Sequence, residues 1–275
     1  MMKTSRSILA LLAGLVAITA CEKNAVGILD DPQAGNGANV KFFNFAVGSP
    51  SVNFFVNDKK VTAISATGCF LLDDANRDLC LSTGAESTAG VPYGSPGNGP
   101  NAYYSDVAPG QAAISGKIAA ATDKNLAIAS AQTNLEAGKF YSYFLSGTYN
   151  TTTKTADAFV VEDVMPPEGF TVAYVRFVNA SSTSQPMTLY AKDRTTLVET
   201  AIGGLVPYKS ASAFVALPVG YVGASYDLST RTDGSATNVF TRLQVNLFPG
   251  RAYTITARGN TATASTMFLD NTANR

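Results

Sequence analysis

The chain has 275 residues, 46% of them hydrophobic and 15% charged, with 20 basic residues balanced by 20 acidic ones. That length exceeds one typical domain and the apolar share can build real cores, while the balanced charge without a polybasic run argues against a nucleic-acid surface. The absence of histidine excludes Ser-His-Asp and Cys-His nucleophile systems, zinc-protease motifs and the two-His-one-carboxylate iron site.

At the start of the chain, Lys3 and Arg6 precede an apolar stretch, and small residues close it at Thr19 and Ala20. From Ile8 to Ala20 the run is 13 residues, too short beside the roughly 20 a membrane span requires, and Glu22 and Lys23 follow at once. It reads as a secretory signal peptide over residues 1–20. Ile18-Thr19-Ala20-Cys21 is similar to the lipobox of bacterial lipoproteins, which implies that Cys21 carries acyl chains and holds the mature protein on a membrane. Glu22 rather than Asp after that cysteine points to the outer membrane of the cell envelope. Residues 21–38, with Asp30-Asp31-Pro32 and Gly35-Asn36-Gly37, lack apolar periodicity and read as the lipidated cysteine and a flexible tether.

Beyond the tether the chain repeats itself. Val40-Lys41-Phe42-Phe43-Asn44 aligns with Val175-Arg176-Phe177-Val178-Asn179 at an offset of 135, and the same offset pairs Asp58-Lys59 with Asp193-Arg194. Val91-Pro92-Tyr93 then matches Val206-Pro207-Tyr208, and Gly138-Lys139-Phe140-Tyr141 matches Gly250-Arg251-Ala252-Tyr253. Met165-Pro166-Pro167-Glu168-Gly169 cannot continue a strand ladder, so a linker is placed at 165–170 between a first domain at 39–164 and a second at 171–275. The first copy is longer. Asn44 and Tyr93 are 49 positions apart, whereas Asn179 and Tyr208 are 29 apart, and both Cys69 and Cys80 fall within the excess.

Each copy consists of short runs rich in Val, Phe, Tyr, Thr and Ile between turn residues, among them VKFFNF, VNFFV and FYSYFL, then VRFVN, MTLYA and YTITA. Alternation is clear where Tyr253, Ile255 and Ala257 interleave with Thr254, Thr256 and Arg258. The Ala-rich stretch at 111–133 is divided by Thr122-Asp123-Lys124-Asn125 and reads as a hairpin. The expectation is an all-β protein of two tandem immunoglobulin-like β-sandwich domains with about seven strands each, a closed barrel being the other solution.

The repeat resembles the domain of unknown function 4397 family, found in exported bacterial proteins. The resemblance rests on Val175-Arg176-Phe177-Val178-Asn179-Ala180-Ser181 opening a copy, Asp106-Val107-Ala108-Pro109-Gly110 before one strand and Leu135-Glu136-Ala137-Gly138-Lys139-Phe140-Tyr141 before another. It implies tandem β-sandwiches and no established activity.

Without histidine, the chemistry left is that of paired carboxylates, as in glycoside hydrolysis, for which Asp73, Asp74, Asp78, Glu162 and Asp163 are the candidates. All lie in expected loops or near strand ends, where solvated acids are ordinary, and no enzyme activity and no cofactor are expected. Asp74-Ala75-Asn76-Arg77-Asp78 alternates oxygen donors like a calcium loop, but Leu79 and Ala85 stand where glycine and glutamate are required, so no metal is expected. Cys69 and Cys80 are expected to form a disulfide in an oxidising compartment. A ligand is expected at the first copy's loop through Tyr93, Asn98, Asn101 and Tyr103, because tyrosines offer amphipathic area at low entropy cost and asparagines adaptable hydrogen bonding. The preferred reading is a lipid-anchored binding or adhesion module of the envelope, taking a glycan, peptide or envelope protein. A purely structural lipoprotein and, remotely, a glycan-active enzyme are the alternatives.

Overall fold

The computed structural model describes residues 37–62, 89–97 and 102–275. Cys21, Cys69, Cys80, Asp73, Asp74, Asp78, Asn98 and Asn101 lie outside the described residues. The first copy contains β1 (Ala38–Asn44), β2 (Val52–Val56), β3 (Lys59–Lys60), β4 (Ser95–Pro96), β5 (Ser105–Val107), β6 (Gly110–Ile118), β7 (Ala127–Leu135), β8 (Phe140–Asn150) and β9 (Thr155–Glu162). The second contains β10 (Val172–Asn179), β11 (Met187–Asp193), β12 (Glu199–Val206), β13 (Ser210–Ala211), β14 (Val215–Pro218), β15 (Ala224–Thr232), β16 (Phe240–Leu247), β17 (Ala252–Arg258) and β18 (Phe268–Ala273). Among the described residues no helix is long and apolar enough to cross a membrane.

The two lists correspond strand for strand. In the first copy one sheet runs β4-β1-β8-β9, with β5 also on β1, and the other runs β3-β2-β6-β7; in the second, β13-β10-β17-β18, with β14 on β10, faces β12-β11-β15-β16. Every pairing between these strands is antiparallel except β1 with β8 and its counterpart β10 with β17. This wiring departs from the immunoglobulin expectation. If the two short pieces are counted as one strand and the strands are lettered in order, the sheets are DAGH and CBEF, whereas the immunoglobulin constant domain sets ABED against CFG. The first strand is drawn beside the penultimate one instead of beside the second. Short strands of ordinary turn composition carry no mark of that choice, which is made by the pairing of β1 along the length of β8.

Alternation explains the cores. Val40 and Phe42 of β1 face Phe54, Ile114 and Tyr143 inside the first sandwich, while Val175 and Phe177 of β10 meet Leu189, Leu228 and Ile255 inside the second. All seven residues of β1 and all seven of β17 are nevertheless buried, so the other face of each strand is covered too. What covers it is the other copy. The expected hairpin in the Ala-rich stretch is present as β6 and β7. The two glycine-containing tetrapeptides end on tyrosines with one job: the hydroxyl of Tyr141 accepts a bond from the Glu136 N–H at 3.1 Å, and that of Tyr253 accepts one from the Phe248 N–H at 3.2 Å. Each ties the turn before its strand back onto the sheet.

Candidate functional site

The face shared by the copies is built from equivalent positions. Lys41 of β1 donates to the Ala273 carbonyl of the second copy and sits 4.3 Å over the Tyr104 ring. Arg176, its counterpart in β10, donates to the Glu162 carbonyl of the first copy at 3.0 Å and stacks 5.0 Å over Phe214, the residue corresponding to Tyr104. Glu162 pairs with Tyr141 as Ala273 pairs with Tyr253, so the two carbonyls are equivalent as well. The exchange is quasi-twofold.

Asp163 closes this network. It forms a buried ion pair with Arg176 and accepts bonds from Tyr104 at 2.7 Å, from Ser142 at 2.8 Å and from Asn274, its own counterpart, at 3.3 Å. Thr254, the counterpart of Ser142, donates to Asn274 at 2.6 Å and accepts from Arg176 at 2.8 Å. Burying charges is tolerable only with such complete partnering. Burial lowers Lys41 to about 8, against the upward pull of the Asp163 charge, and it pushes the Tyr104 phenol well above its usual range, with Asp163 adding to the rise.

The Val-Pro-Tyr tripeptides belong to the same arrangement. In each copy the fully buried asparagine that ends the first motif donates to the carbonyl of the tripeptide's valine, Asn44 to Val91 at 2.9 Å and Asn179 to Val206 at 3.2 Å. This aims the tyrosine at the other copy. Tyr208 bonds Ser146 and Asp157, both at 2.9 Å, and Tyr93 lies 4.9 Å from Arg258 with its hydroxyl on the Thr266 carbonyl at 3.3 Å. Tyr93, expected in a ligand site, is therefore an anchor between the sandwiches. Tyr104 is half-buried at the same face, and Tyr103 is 62% exposed. Beside the ionic network, stacked Phe43, Phe144 and Phe159 of the first copy, 4.8 and 5.1 Å between successive rings, lie in one apolar cluster with Val178 and Ala180 of the second.

These contacts also orient the copies. Lys41 reaches Ala273, opposite the beginning of β17, while Phe45 lies under Arg258 at its end. Hence β1 and β17 run the same way on the two sides of the face, and β17 is parallel to β10. Both sandwiches point the same end in the same direction. At that end Gly138 donates to the Gly37 carbonyl at 2.8 Å, and its counterpart Gly250 donates to the Val172 carbonyl at 3.0 Å.

The equivalent ends differ in chemistry. The first copy shows Asp58, Lys59, Glu136 and Lys139, with ion pairs from Lys139 to Glu136 at 2.9 Å and from Lys117 to Asp58 at 2.7 Å. In the second copy Phe248-Pro249 replaces Glu136-Ala137, and an added excursion between Gly220 and Gly223 carries Tyr221 and Val222. Tyr221 is 82% exposed, Val222 88%, Phe170 on the incoming linker 78% and Phe248 49%. Leu197 and Val198, exposed in the turn after β11, extend this apolar surface, since Arg194 bonds Ser225 at the start of β15. Gly223 is required here: its φ is +95° and a Cβ would lie 2.9 Å from the Phe248 ring. Tyr221, Val222, Phe248 and Pro249 line an open cleft with Asn246, Arg251 and Tyr253, a lining with one cation and no carboxylate.

The described residues that flank the first copy's excess sequence lie toward the opposite end. The chain leaves after Thr62, whose hydroxyl accepts the Phe54 N–H at 2.7 Å, and returns at Gly90, packed on Val52 and Ala119 where β2 begins and β6 has finished. Of the carboxylate candidates within the described residues, Asp163 is consumed by the network and Glu162 pairs with Lys139 at 3.4 Å. No cluster of three metal-ligating side chains occurs among the described residues. Sequence reasoning missed Lys41, Arg176 and Tyr208 as contacts between the copies, and singled out Asp163 only as a candidate catalytic carboxylate. The available signal was a cation recurring at one position of an otherwise apolar strand motif. No curated protein matches the chain. Residues 173–275 match the family described as Domain of unknown function (DUF4397), and the first sandwich repeats the strand order of that matched region.

Proposed function

We propose that the protein is a lipid-anchored binding module of the cell envelope, held by Cys21 on the outer membrane, in which two sandwiches of the immunoglobulin size class act as one rigid stalk and head. The observation that carries this reading is the opposed placement of its two ends. Gly37, where the tether joins, lies at one end, and the first copy's excess sequence leaves and returns toward the other. Recognition loops on a rigid scaffold are the usual seat of binding, and the described residues from which this one departs lie at the end opposite Gly37. Glycans, peptides and envelope proteins are the partner classes that fit an exported module with no cofactor chemistry.

The test is capture of partners from a membrane extract by residues 22–275, beside a version in which residues 66–86 are replaced by a short Gly-Ser link. Val91, Tyr93 and β4 must be retained, because they belong to the fold and to the shared face. Partners lost with the segment, at an unchanged melting temperature, support the reading. Identical capture by both versions overturns it.

A further inference from the structure

We infer that the apolar end of the second sandwich rests on the lipid bilayer that carries the anchor, giving the protein a second, non-covalent contact with that membrane. This rests on the reading of Cys21 as the acylated residue. Sixteen positions separate Cys21 from Gly37, at most about 55 Å of extended chain, and that chain joins the first sandwich at the end defined by Gly37, Asp58 and Gly138. Because the shared face sets both sandwiches in the same direction, the end bearing Phe170, Tyr221, Val222 and Phe248 points the same way as the end of the first sandwich that bears Gly37.

The chemistry of that end suits a lipid interface. Exposed apolar side chains concentrated at one end mark an interaction site, and tyrosine is favoured at the level of lipid headgroups. Tyr221 and Val222 are the most exposed of these side chains, on an excursion that the first copy lacks. Arg251 supplies the cleft's cation for a lipid phosphate, with no carboxylate in the lining to repel it. A side chain seated there enters about 5–10 Å into the boundary between headgroups and acyl chains.

The chain contains no tryptophan, so Tyr221→Trp creates a single reporter and Tyr103→Trp an internal control on the other copy. Each acylated variant is reconstituted in vesicles of phosphatidylethanolamine and phosphatidylglycerol with bromine on the acyl chains near the headgroups. The reporter at 221 is expected to emit at shorter wavelength and to lose most of its intensity to the brominated lipid, while the one at 103 keeps both. In the Tyr221→Trp background, Val222→Ser with Phe248→Ser should restore the emission. Flotation and mass spectrometry of Cys21, beside a Cys21→Ser chain added to the same vesicles, read the anchor separately. An unquenched reporter on a floating, acylated chain overturns the docking and leaves the anchor standing, whether the end is then bare, covered by a second copy or covered by another protein. Quenching in a chain that carries no acyl group overturns the anchor and leaves the docking standing. No acylation and no quenching overturns both.

Discussion

Where the two copies face each other they are nearly the same molecule, and where they both end they are not. Lys41 answers Arg176 and Tyr93 answers Tyr208 with contacts across the face, while Ser142 and Thr254 answer each other by donating to Asp163 and Asn274 respectively, which themselves meet across it. At the ends, Glu136-Ala137 answers Phe248-Pro249, and nothing answers Tyr221-Val222. A repeat keeps equivalent residues where each copy is the other's environment, because a change on one side leaves a buried donor, acceptor or charge on the other unpaired. Surfaces outside that constraint are free to diverge, and one has become apolar while the other stayed charged.

The largest way to break the comparison is at Asp163, a fully buried anion of the shared face. Asp163→Ala strands Arg176 without its carboxylate and leaves Ser142, Tyr104 and Asn274 short of an acceptor; the cost is expected at about 3–5 kcal/mol of unfolding free energy by urea titration. Asp163→Asn, which makes the first copy match Asn274, should recover part of that loss.

Next is the cation that has no carboxylate of its own. Lys41 falls from 10.5 to about 8 in the folded protein, so between those values the unfolded chain binds a proton that the folded chain lacks. Stability contributed by this group therefore rises with pH from about 8 toward 10.5, with a total near 3 kcal/mol, and is flat below pH 8. Urea titrations from pH 7 to pH 10 should show the rise in the natural chain and its absence in Lys41→Met. Equal pH profiles for the two would remove Lys41 as the cause.

The two anchoring tyrosines sharpen the comparison on a smaller scale. Tyr208→Phe removes a hydroxyl with two partners at 2.9 Å and should cost about 1–1.5 kcal/mol, whereas Tyr93→Phe removes one long bond of 3.3 Å and should cost about 0.5 kcal/mol. The rings carry the rest, so Tyr93→Ala should cost distinctly more than Tyr93→Phe through the lost stacking on Arg258. The smallest effect belongs to the divergent end. Tyr221→Ser and Val222→Ser should each move the melting free energy by no more than about 0.5 kcal/mol, since both side chains are more than four-fifths exposed.

Much of this was legible in residues 38–275. Strand-sized runs bounded by turn residues announced an all-β chain, the offset of 135 announced two copies, and the prolines after Met165 announced the break between β9 and β10. These signals are local or periodic, so they survive in one dimension. The alternation of Tyr253, Ile255 and Ala257 with Thr254, Thr256 and Arg258 separated two faces of β17 but held no sign of what covers the polar one. In the structure Thr254, Thr256 and Arg258 are as buried as their neighbours, because another sandwich lies on them. Within the candidate ligand loop, Tyr93 looks like an adaptable binding residue until Arg258, 165 positions away, is placed beside it.

The sequence by itself determined the strands, their inward faces and the repeat, since each depends on neighbours a few residues apart or on a fixed offset. The tertiary structure decided the DAGH and CBEF wiring, the burial of Lys41, Arg176 and Asp163 between the copies, and the common direction in which both ends point. Those depend on which strand pairs with which and on what covers the outer face of a sheet, and many of these contacts join distant residues, 78 positions for Arg176 with Thr254 and 232 for Lys41 with Ala273, where no local pattern records them.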